Sequence, residues 1–485
     1  MSTSPSVVDV NDENTLQRGL TSAQVSMIGL SGALGTGLFL GSGSMIGVAG
    51  PGVILSYTLT GLLSLVIVWC LAEMTVLHPV AGGFGAIAHA YLGPIGGWLM
   101  RWNAAIVLCI AVGAEVVATG TYLMRWWPGL GIGGGTVLAS LVIVAINMAT
   151  VKAYGKSEYW FSIIKVAMVV LFIALGLVLI LFGLPGTAAV GFGNLTQGEG
   201  WQGFAPAGMG GILTAAVMGI FSFGGVESVS VAAAESENPG RDVPRAARAM
   251  IVRLVLFYIG AVAIVVTLSP WQLTAQGKGT LTESPFVTVL GLVNVPAAAD
   301  LMNFVLITAA LSSANGCLYG SARMVHSLAS DGLAPRFFAR TSTHGAPRNA
   351  VLLATIGMIV ASVLAITRPD DAFMALFGIL VFGTLFTWLM VCVLFIAFRR
   401  ARARLGLPDS PARVIGGPVT AGIALVVIVA CFVKLGSIKG LSIALPTGLP
   451  YAAVLLVLGM VVVRRGHYGP SVLDDELSRR GGAGH

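Results

Sequence analysis

The stretch Ser31-Gly32-Ala33-Leu34-Gly35-Thr36-Gly37-Leu38-Phe39-Leu40-Gly41-Ser42-Gly43 contains five glycines and lies inside the first long apolar run of the chain, residues 25–47. A glycine costs a helix interior about 1 kcal/mol relative to alanine, and a broken helix in a bilayer leaves N–H and C=O groups without water. Such a break is tolerated where it lines a cavity or binds a ligand. Backbone N–H groups freed at Gly35, Thr36 and Gly37 could hold a carboxylate. Close helix packing through small residues is the alternative explanation.

The composition is that of a polytopic membrane protein. Of the 485 residues, 56% are hydrophobic and only 10% are charged, whereas soluble domains carry about 25% charged residues. The net charge of +7 does not indicate a nucleic-acid partner, because the basic residues lie between apolar runs. The five cysteines fall within apolar runs without metal-ligand spacing, and no Ser/His/Asp set is evident. We therefore predict no catalytic residue, no metal site and no cofactor.

Twelve apolar runs approach or exceed the roughly 20 residues that cross a bilayer. They are 25–47, 52–77, 97–123, 133–153, 158–183, 208–232, 249–269, 297–329, 349–367, 372–397, 417–436 and 450–463, numbered here as predicted spans 1 to 12. With both termini in the cytoplasm, 21 Lys and Arg residues lie on the inner side and 5 on the outer side. This asymmetry follows the positive-inside rule. The predicted fold class is an all-α polytopic membrane protein with twelve transmembrane helices.

A second interrupted helix is predicted in span 6. Its sequence Gly219-Ile220-Phe221-Ser222-Phe223-Gly224-Gly225-Val226-Glu227-Ser228 combines a double glycine with a carboxyl group. Span 1 enters from the cytoplasm and span 6 from outside. Two interrupted helices at corresponding positions of inverted halves are typical of secondary transporters with a site near the bilayer midplane. We therefore predict two inverted five-helix repeats with helices 1 and 6 unwound, followed by two further helices.

The predicted domain organisation follows from this symmetry. It comprises a disordered cytoplasmic N-terminal tail (1–20), a transport core (21–400, with repeats at about 25–183 and 208–397), helices 11 and 12 (401–465) and a cytoplasmic C-terminal tail (466–485).

The two breaks offer complementary chemistry. The N-terminus of a half-helix presents N–H groups that suit a carboxylate, and a half-helix C-terminus presents carbonyls that suit an ammonium group. A zwitterion with both groups on one carbon fits between them. The residues therefore point to an amino acid as the ligand.

Three charged residues lie well inside the predicted spans: Glu115, Lys165 and Glu227. Each costs roughly 3 kcal/mol unless it is paired or neutral. Burial disfavours the charged form, so Lys165 and Glu227 are candidate proton carriers. The alternatives are snorkelling of Lys165 to the cytoplasmic surface and capping of exposed backbone by Glu227. Glu115 could bind a cationic substrate, carry a proton or hydrogen-bond a neighbouring helix.

These motifs resemble the bacterial amino acid transporter (amino acid permease) family of the amino acid–polyamine–organocation superfamily. The similarity runs in the family's order over roughly residues 20–400. The matching segments are 29–43, Ala49-Gly50-Pro51, Leu71-Ala72-Glu73-Met74, 221–227, Glu235-Ser236-Glu237-Asn238-Pro239, Ser284-Pro285-Phe286, 311–316 and Arg323-Met324. The resemblance implies inverted five-helix repeats with spans 1 and 6 unwound around the substrate.

The resemblance also implies roles for residues at both breaks. The N–H groups of Thr36 and Gly37 would bind the substrate carboxylate. The carbonyls of Ala33, Phe221 and Gly224 would receive its amino group. Phe221 matches an aromatic position that closes over the substrate in relatives, and Ser222 follows it.

The resemblance further implies a role for Lys165, because in relatives a lysine at this position takes the place of the sodium ion of sodium-coupled cousins. In those relatives the lysine contacts span 1 and the serines of span 8, which correspond here to Ser312 and Ser313. In span 3 this sequence departs from relatives, because Ala104-Ala105-Ile106 stands where many have aromatic residues. Substrate specificity therefore cannot be transferred.

The sequence predicts a proton-coupled amino acid importer of the bacterial inner (plasma) membrane that works by alternating access. Its predicted partners are an amino acid substrate, protons and the lipid bilayer. An amino acid exchanger without net proton flow is the alternative among transporters, and a membrane nutrient sensor is the alternative outside transport.

Overall fold

All regular secondary structure in the described part of the chain is helical. The computed structural model describes residues 35–80, 82–148, 151–183, 188–227, 230, 238–275, 284–292, 296–341, 347–438, 441–466, 468–469, 471–474, 476 and 478. The α-helices are α1 (Thr36–Phe39), α2 (Gly41–Ala49), α3 (Val53–Leu77), α4 (Gly83–Leu123), α5 (Gly131–Met148), α6 (Val151–Leu181), α7 (Trp201–Phe204), α8 (Gly208–Gly219), α9 (Pro239–Arg253), α10 (Ala261–Leu268), α11 (Trp271–Ala275), α12 (Pro285–Leu292), α13 (Pro296–Ser330), α14 (Arg348–Ala354), α15 (Ile356–Thr367), α16 (Ala372–Arg404), α17 (Pro418–Leu435) and α18 (Ala444–Arg464).

Eleven segments of the described chain are long and apolar enough to cross a membrane. The sequence predicted twelve spans, and the difference arises at the first two. Predicted spans 1 and 2 are joined through the 3₁₀ turn Gly50–Gly52 into one segment, Thr36–Leu77, of 42 residues. Gly50 has φ +59°, a conformation that favours glycine.

The first span is interrupted where its glycines cluster. Gly35 is extended (φ −120°, ψ −163°) directly before the single turn of α1. Leu40 (φ −111°, ψ −48°) then separates α1 from α2. Regular helix therefore starts only at Thr36 and is interrupted at Leu40.

The sixth span is interrupted as well. Helix α8 tightens into the 3₁₀ turn Ile220–Phe223, and Gly224 then adopts an extended ψ of 144°. Gly225 follows with φ +89°, which suits glycine alone among common residues. The chain thus leaves the helical path at the double glycine.

Long helices form the frame around these breaks. Helix α4 packs most extensively on α13 and α16. It is kinked at Gly93 (φ 77°, ψ 178°), next to Pro94, so that residues 83–92 form a separate helical piece before the predicted third span. Helix α17 turns an apolar stripe outward, with Val419, Val426 and Val433 at least 69% exposed at a spacing of seven residues. Such a face suits lipid contact.

The close approach of α4 to α15 predicts a sensitive glycine at position 113. A Cβ at Gly113 would lie 2.7 Å from the carbonyl oxygen of Gly357 and 2.9 Å from the Cβ of Ala361. We expect Gly113→Ala to destabilise the protein by about 1–3 kcal/mol, because overpacking forces backbone shifts. The midpoint of thermal unfolding of the detergent-purified protein measures this.

Gly422→Ala is the matched control, since nothing lies within 4 Å of a Cβ added there. It should leave the midpoint unchanged or raise it, because alanine is the better helix former. Equal midpoints for Gly113→Ala and the unmodified protein would contradict the packing described.

Candidate functional site

The two interrupted stretches touch each other. A Cβ added to Gly37 of α1 would lie 2.7 Å from the Cα of Ser222 and 3.0 Å from the ring of Phe221. Only a residue without a side chain allows this approach. The structure therefore brings Gly37, Phe221 and Ser222 together in one place.

The first backbone N–H of α1 already holds a carboxylate. Both oxygens of Glu115 in α4 lie 3.3 Å from the Thr36 nitrogen, and Glu115 Oε1 accepts the Ser313 hydroxyl of α13 at 2.8 Å. Glu115 is buried. Gly35 leaves room for it, because a Cβ at Gly35 would collide with this carboxylate. A negative group at a helix N-terminus is electrostatically favourable, so the broken end of α1 is chemically suited to carboxylates.

Lys165 binds the hydroxyl of Ser312, which directly precedes Ser313 in the sequence. Its ammonium group on α6 donates to Ser312 Oγ at 2.9 Å, and the side chain is fully buried. Ser312 and Ser313 are adjacent in α13, so Lys165 and Glu115 bind consecutive hydroxyls of one helix. Snorkelling needs an ammonium group at the surface, and this burial argues against it.

Glu227 has a different partner. Its Oε1 accepts the indole N–H of Trp388 in α16 at 3.1 Å. The same helix packs on the other side of the break, where the ring of Phe221 lies 4.7 Å from that of Phe377 and 6.2 Å from that of Phe373, centroid to centroid. Helix α16 therefore carries the aromatic wall against which Phe221 rests.

Two of the three residues whose carbonyls are predicted to bind the substrate amino group can be placed. The Phe221 carbonyl accepts the Gly224 N–H at 3.0 Å, which leaves its second lone pair for another donor. Gly224 lies on the side of the break that faces α16, since a Cβ there would lie 3.5 Å from Thr384 Oγ1. Ala33 lies outside the described residues.

No sequence pattern pointed to the side chains that hold the sixth span at its break. The hydroxyl of Tyr258 donates to the Ser222 carbonyl at 2.8 Å, and Arg253 donates to that hydroxyl at 2.9 Å. Arg253 lies near the start of predicted span 7, and the structure buries its side chain. A charged residue at the edge of an apolar run gives no signal of which helix it faces.

Ionisable residues near the end of α3 and the helices around it form a separate set. His78, just beyond α3, lies 2.8 Å from the hydroxyl of Tyr91 through Nε2. Burial lowers the pKa of His78 to about 4, so this side chain is neutral at pH 7. The carboxylate of Glu73 accepts the Val414 N–H at 2.7 Å and pairs with Arg399. These contacts tie loops to helix ends and lie on residues other than those of the breaks.

Known proteins resemble this chain over most of its length. A family model described as "Amino acid permease" matches residues 24–464. The gamma-aminobutyric acid permease of Bacillus subtilis (strain 168) is 38% identical over 75% of this chain and 76% of its own length. An uncharacterized amino acid permease of the same organism, YvbW, is 35% identical over 94% and 98%. The aromatic amino acid transport protein AroP of Escherichia coli (strain K12) is 36% identical over 81% and 84%.

These relatives are permeases and not enzymes, as the sequence predicted. Together with the membrane-spanning helices, the match over nearly the whole chain assigns it: the protein belongs to the amino acid permease family of multi-pass membrane transporters.

Proposed function

We propose that this protein imports an amino acid across the bacterial inner membrane by proton-coupled alternating access. The observation that carries the proposal is the carboxylate of Glu115 on the N–H of Thr36. A backbone donor that holds a protein carboxylate in a buried site is suited to hold the carboxylate of a substrate.

The proposed topology has twelve spans and both termini in the cytoplasm. The 42 residues of Thr36–Leu77 extend about 63 Å as helix, roughly twice the hydrocarbon thickness of a bilayer, so we infer that this segment crosses twice. Inverted repeats at about 25–183 and 208–397 then form the core 21–400, with helices 11 and 12 in 401–465 and cytoplasmic tails at 1–20 and 466–485. The contact of Gly37 with Ser222 supports the pairing of the repeats at their breaks.

The proposed substrate site lies between these breaks. The substrate carboxylate binds the N–H groups beside Gly35, on Thr36 and Gly37. The amino group binds carbonyls of Ala33, Phe221 and Gly224. The Phe221 ring, backed by Phe377, covers the ligand. The relatives' names point to substrates as different as gamma-aminobutyric acid and aromatic amino acids. The proposal therefore assigns no preference for a particular substrate side chain.

Coupling is proposed to begin at Glu115. A substrate carboxylate that reaches Thr36 competes with Glu115 for the same donor, and two carboxylates in one buried site disfavour double ionisation. Uptake of a proton by Glu115 relieves this conflict. The charged groups facing Glu115 include Lys165, whose link to Ser312 connects α6 to the same helix that holds Glu115. Glu227 is a second proton carrier candidate, at the sixth span.

An exchanger without net proton flow is the second candidate. The observation that favours it is the hydrogen bond from Lys165 to Ser312, because a lysine held in this bond can brace α6 against α13 without releasing its proton. The exchanger would share the other site residues but would not need Glu227 as a proton carrier.

Uptake into proteoliposomes of the purified protein tests the proposal. Labelled amino acids are screened with and without an inward proton gradient. We expect one class to accumulate only with the gradient, and a protonophore should abolish this accumulation. Uptake that requires an amino acid inside the vesicles and ignores the gradient would establish the exchanger instead.

Replacement of Lys165 by alanine tests the coupling network. Lys165→Ala removes the donor to Ser312, so we expect uptake to stop at equilibration of the substrate across the membrane, with no accumulation driven by the proton gradient. Lys434→Ala, at an exposed position near the end of α17, is the control and should accumulate substrate like the unmodified protein. If Lys165→Ala inserts normally and still accumulates substrate fully with the proton gradient, Lys165 has no role in coupling.

A further inference from the structure

The seventh predicted span changes its helical geometry next to the site. Helix α9 (Pro239–Arg253) passes into a π-helix, Leu254–Gly260, before α10 begins. Residues five apart are about 140° apart around an α-helix, but a π-turn, with its i→i+5 hydrogen bonds, brings them close to one face. Arg253 and Tyr258 have this spacing, and the guanidinium reaches the phenol oxygen at 2.9 Å.

The direction of the hydrogen bonds is determined by chemistry. A guanidinium only donates, so the oxygen of Tyr258 accepts from Arg253. The single hydroxyl proton of Tyr258 then points to the carbonyl oxygen of Ser222, 2.8 Å away. Arg253 therefore fixes the orientation of the hydroxyl that holds Ser222.

The held segment is the one that builds the proposed site. Ser222 lies against Gly37 and follows Phe221. The ring of Tyr258 also stacks on Phe223, with centroids 4.3 Å apart and planes 22° apart. The hydroxyl of Tyr57 in α3 lies 3.3 Å from Ser222 Oγ. Side chains from α3 and from the π-helix thus both bind the interrupted turn.

A purely structural contact would not need a charge. Arg253 is 2% exposed, and burial of a charged group in a membrane span is costly. An apolar residue would fill the space between the helices without this cost. The guanidinium donates to the Tyr258 oxygen, which an apolar residue cannot do, and this sets the direction of the bond from Tyr258 to Ser222.

We infer that Arg253 and Tyr258 are positioning residues of the amino acid site: Arg253 orients the Tyr258 hydroxyl, which holds the Ser222 carbonyl so that Phe221 and Ser222 keep their place against Gly37. Neither side chain touches the substrate. The inference rests on the proposed function, because it assigns the sixth-span break to the site.

Tyr258→Phe is the direct test, because it removes the hydroxyl and keeps the ring that stacks on Phe223. We expect KM for the transported amino acid to rise about tenfold, while kcat and the thermal midpoint change little. Tyr451→Phe is the matched control, since its hydroxyl binds Asn103 between α18 and α4, and its KM should not change.

A double-mutant cycle separates positioning from general stability. Arg253→Met should raise KM to a similar extent, and the pair Arg253→Met with Tyr258→Phe should be no worse than the worse single variant, because both act through one carbonyl. Arg253→Lys, which retains a charged donor, should restore part of the affinity and serves if Arg253→Met does not fold.

Two results overturn the inference while the unmodified protein transports normally. One is an unchanged KM for Tyr258→Phe with a lowered thermal midpoint, which would make the pair a stability element. The other is a double variant in which the effects of the two single substitutions on the free energy derived from KM add in full. Absence of amino acid transport by the unmodified protein would instead defeat the proposed function itself.

Discussion

The hydrogen bond from the Thr36 N–H to the carboxylate of Glu115 is the contact on which the site depends. A helix broken inside a bilayer exposes backbone groups that water cannot reach, so each break needs partners from neighbouring helices. Glu115 supplies an acceptor at the first break, and Tyr258 supplies a donor to Ser222 at the second. The breaks are therefore built jointly by the helices that surround them.

Buried charges carry these helix-to-helix links. Lys165 joins α6 to α13, Glu115 joins α4 to α13 and α1, and Glu227 binds α16. Each charge costs free energy in the membrane unless its partner stays in place. In the alternating-access cycle that we propose, a rearrangement that exposes the site to the other side of the membrane would exchange such partners, and this exchange would link movement to protonation at the same residues.

Much of the architecture was predictable because hydropathy and charge report directly on the bilayer. Within the described residues most of the apolar runs overlap helices of the structure, and the glycines at 35–43 and 224–225 mark both interruptions. The residues at which helices begin and end were less predictable. Helix α9 begins at Pro239, not near residue 249, because its first turns are basic and amphipathic and carry no hydropathy signal.

The pairing of side chains across helices could not be predicted. Hydropathy shows that Glu115 is buried but not that Thr36 and Ser313 face it, since periodicity within one helix contains no information on its neighbours. The link between Arg253 and Tyr258 was hidden for a second reason. A spacing of five residues is not an α-helical repeat, and only the π-turn makes it a contact.

The central claim is that the two breaks form the amino acid site, and a structure with the transported amino acid bound tests it most directly. We expect the ligand carboxylate within hydrogen-bonding distance of the Thr36 and Gly37 nitrogens, with Glu115 displaced from Thr36 and the Phe221 ring over the ligand. An amino acid bound elsewhere in the protein, with Glu115 still on Thr36, would contradict the claim.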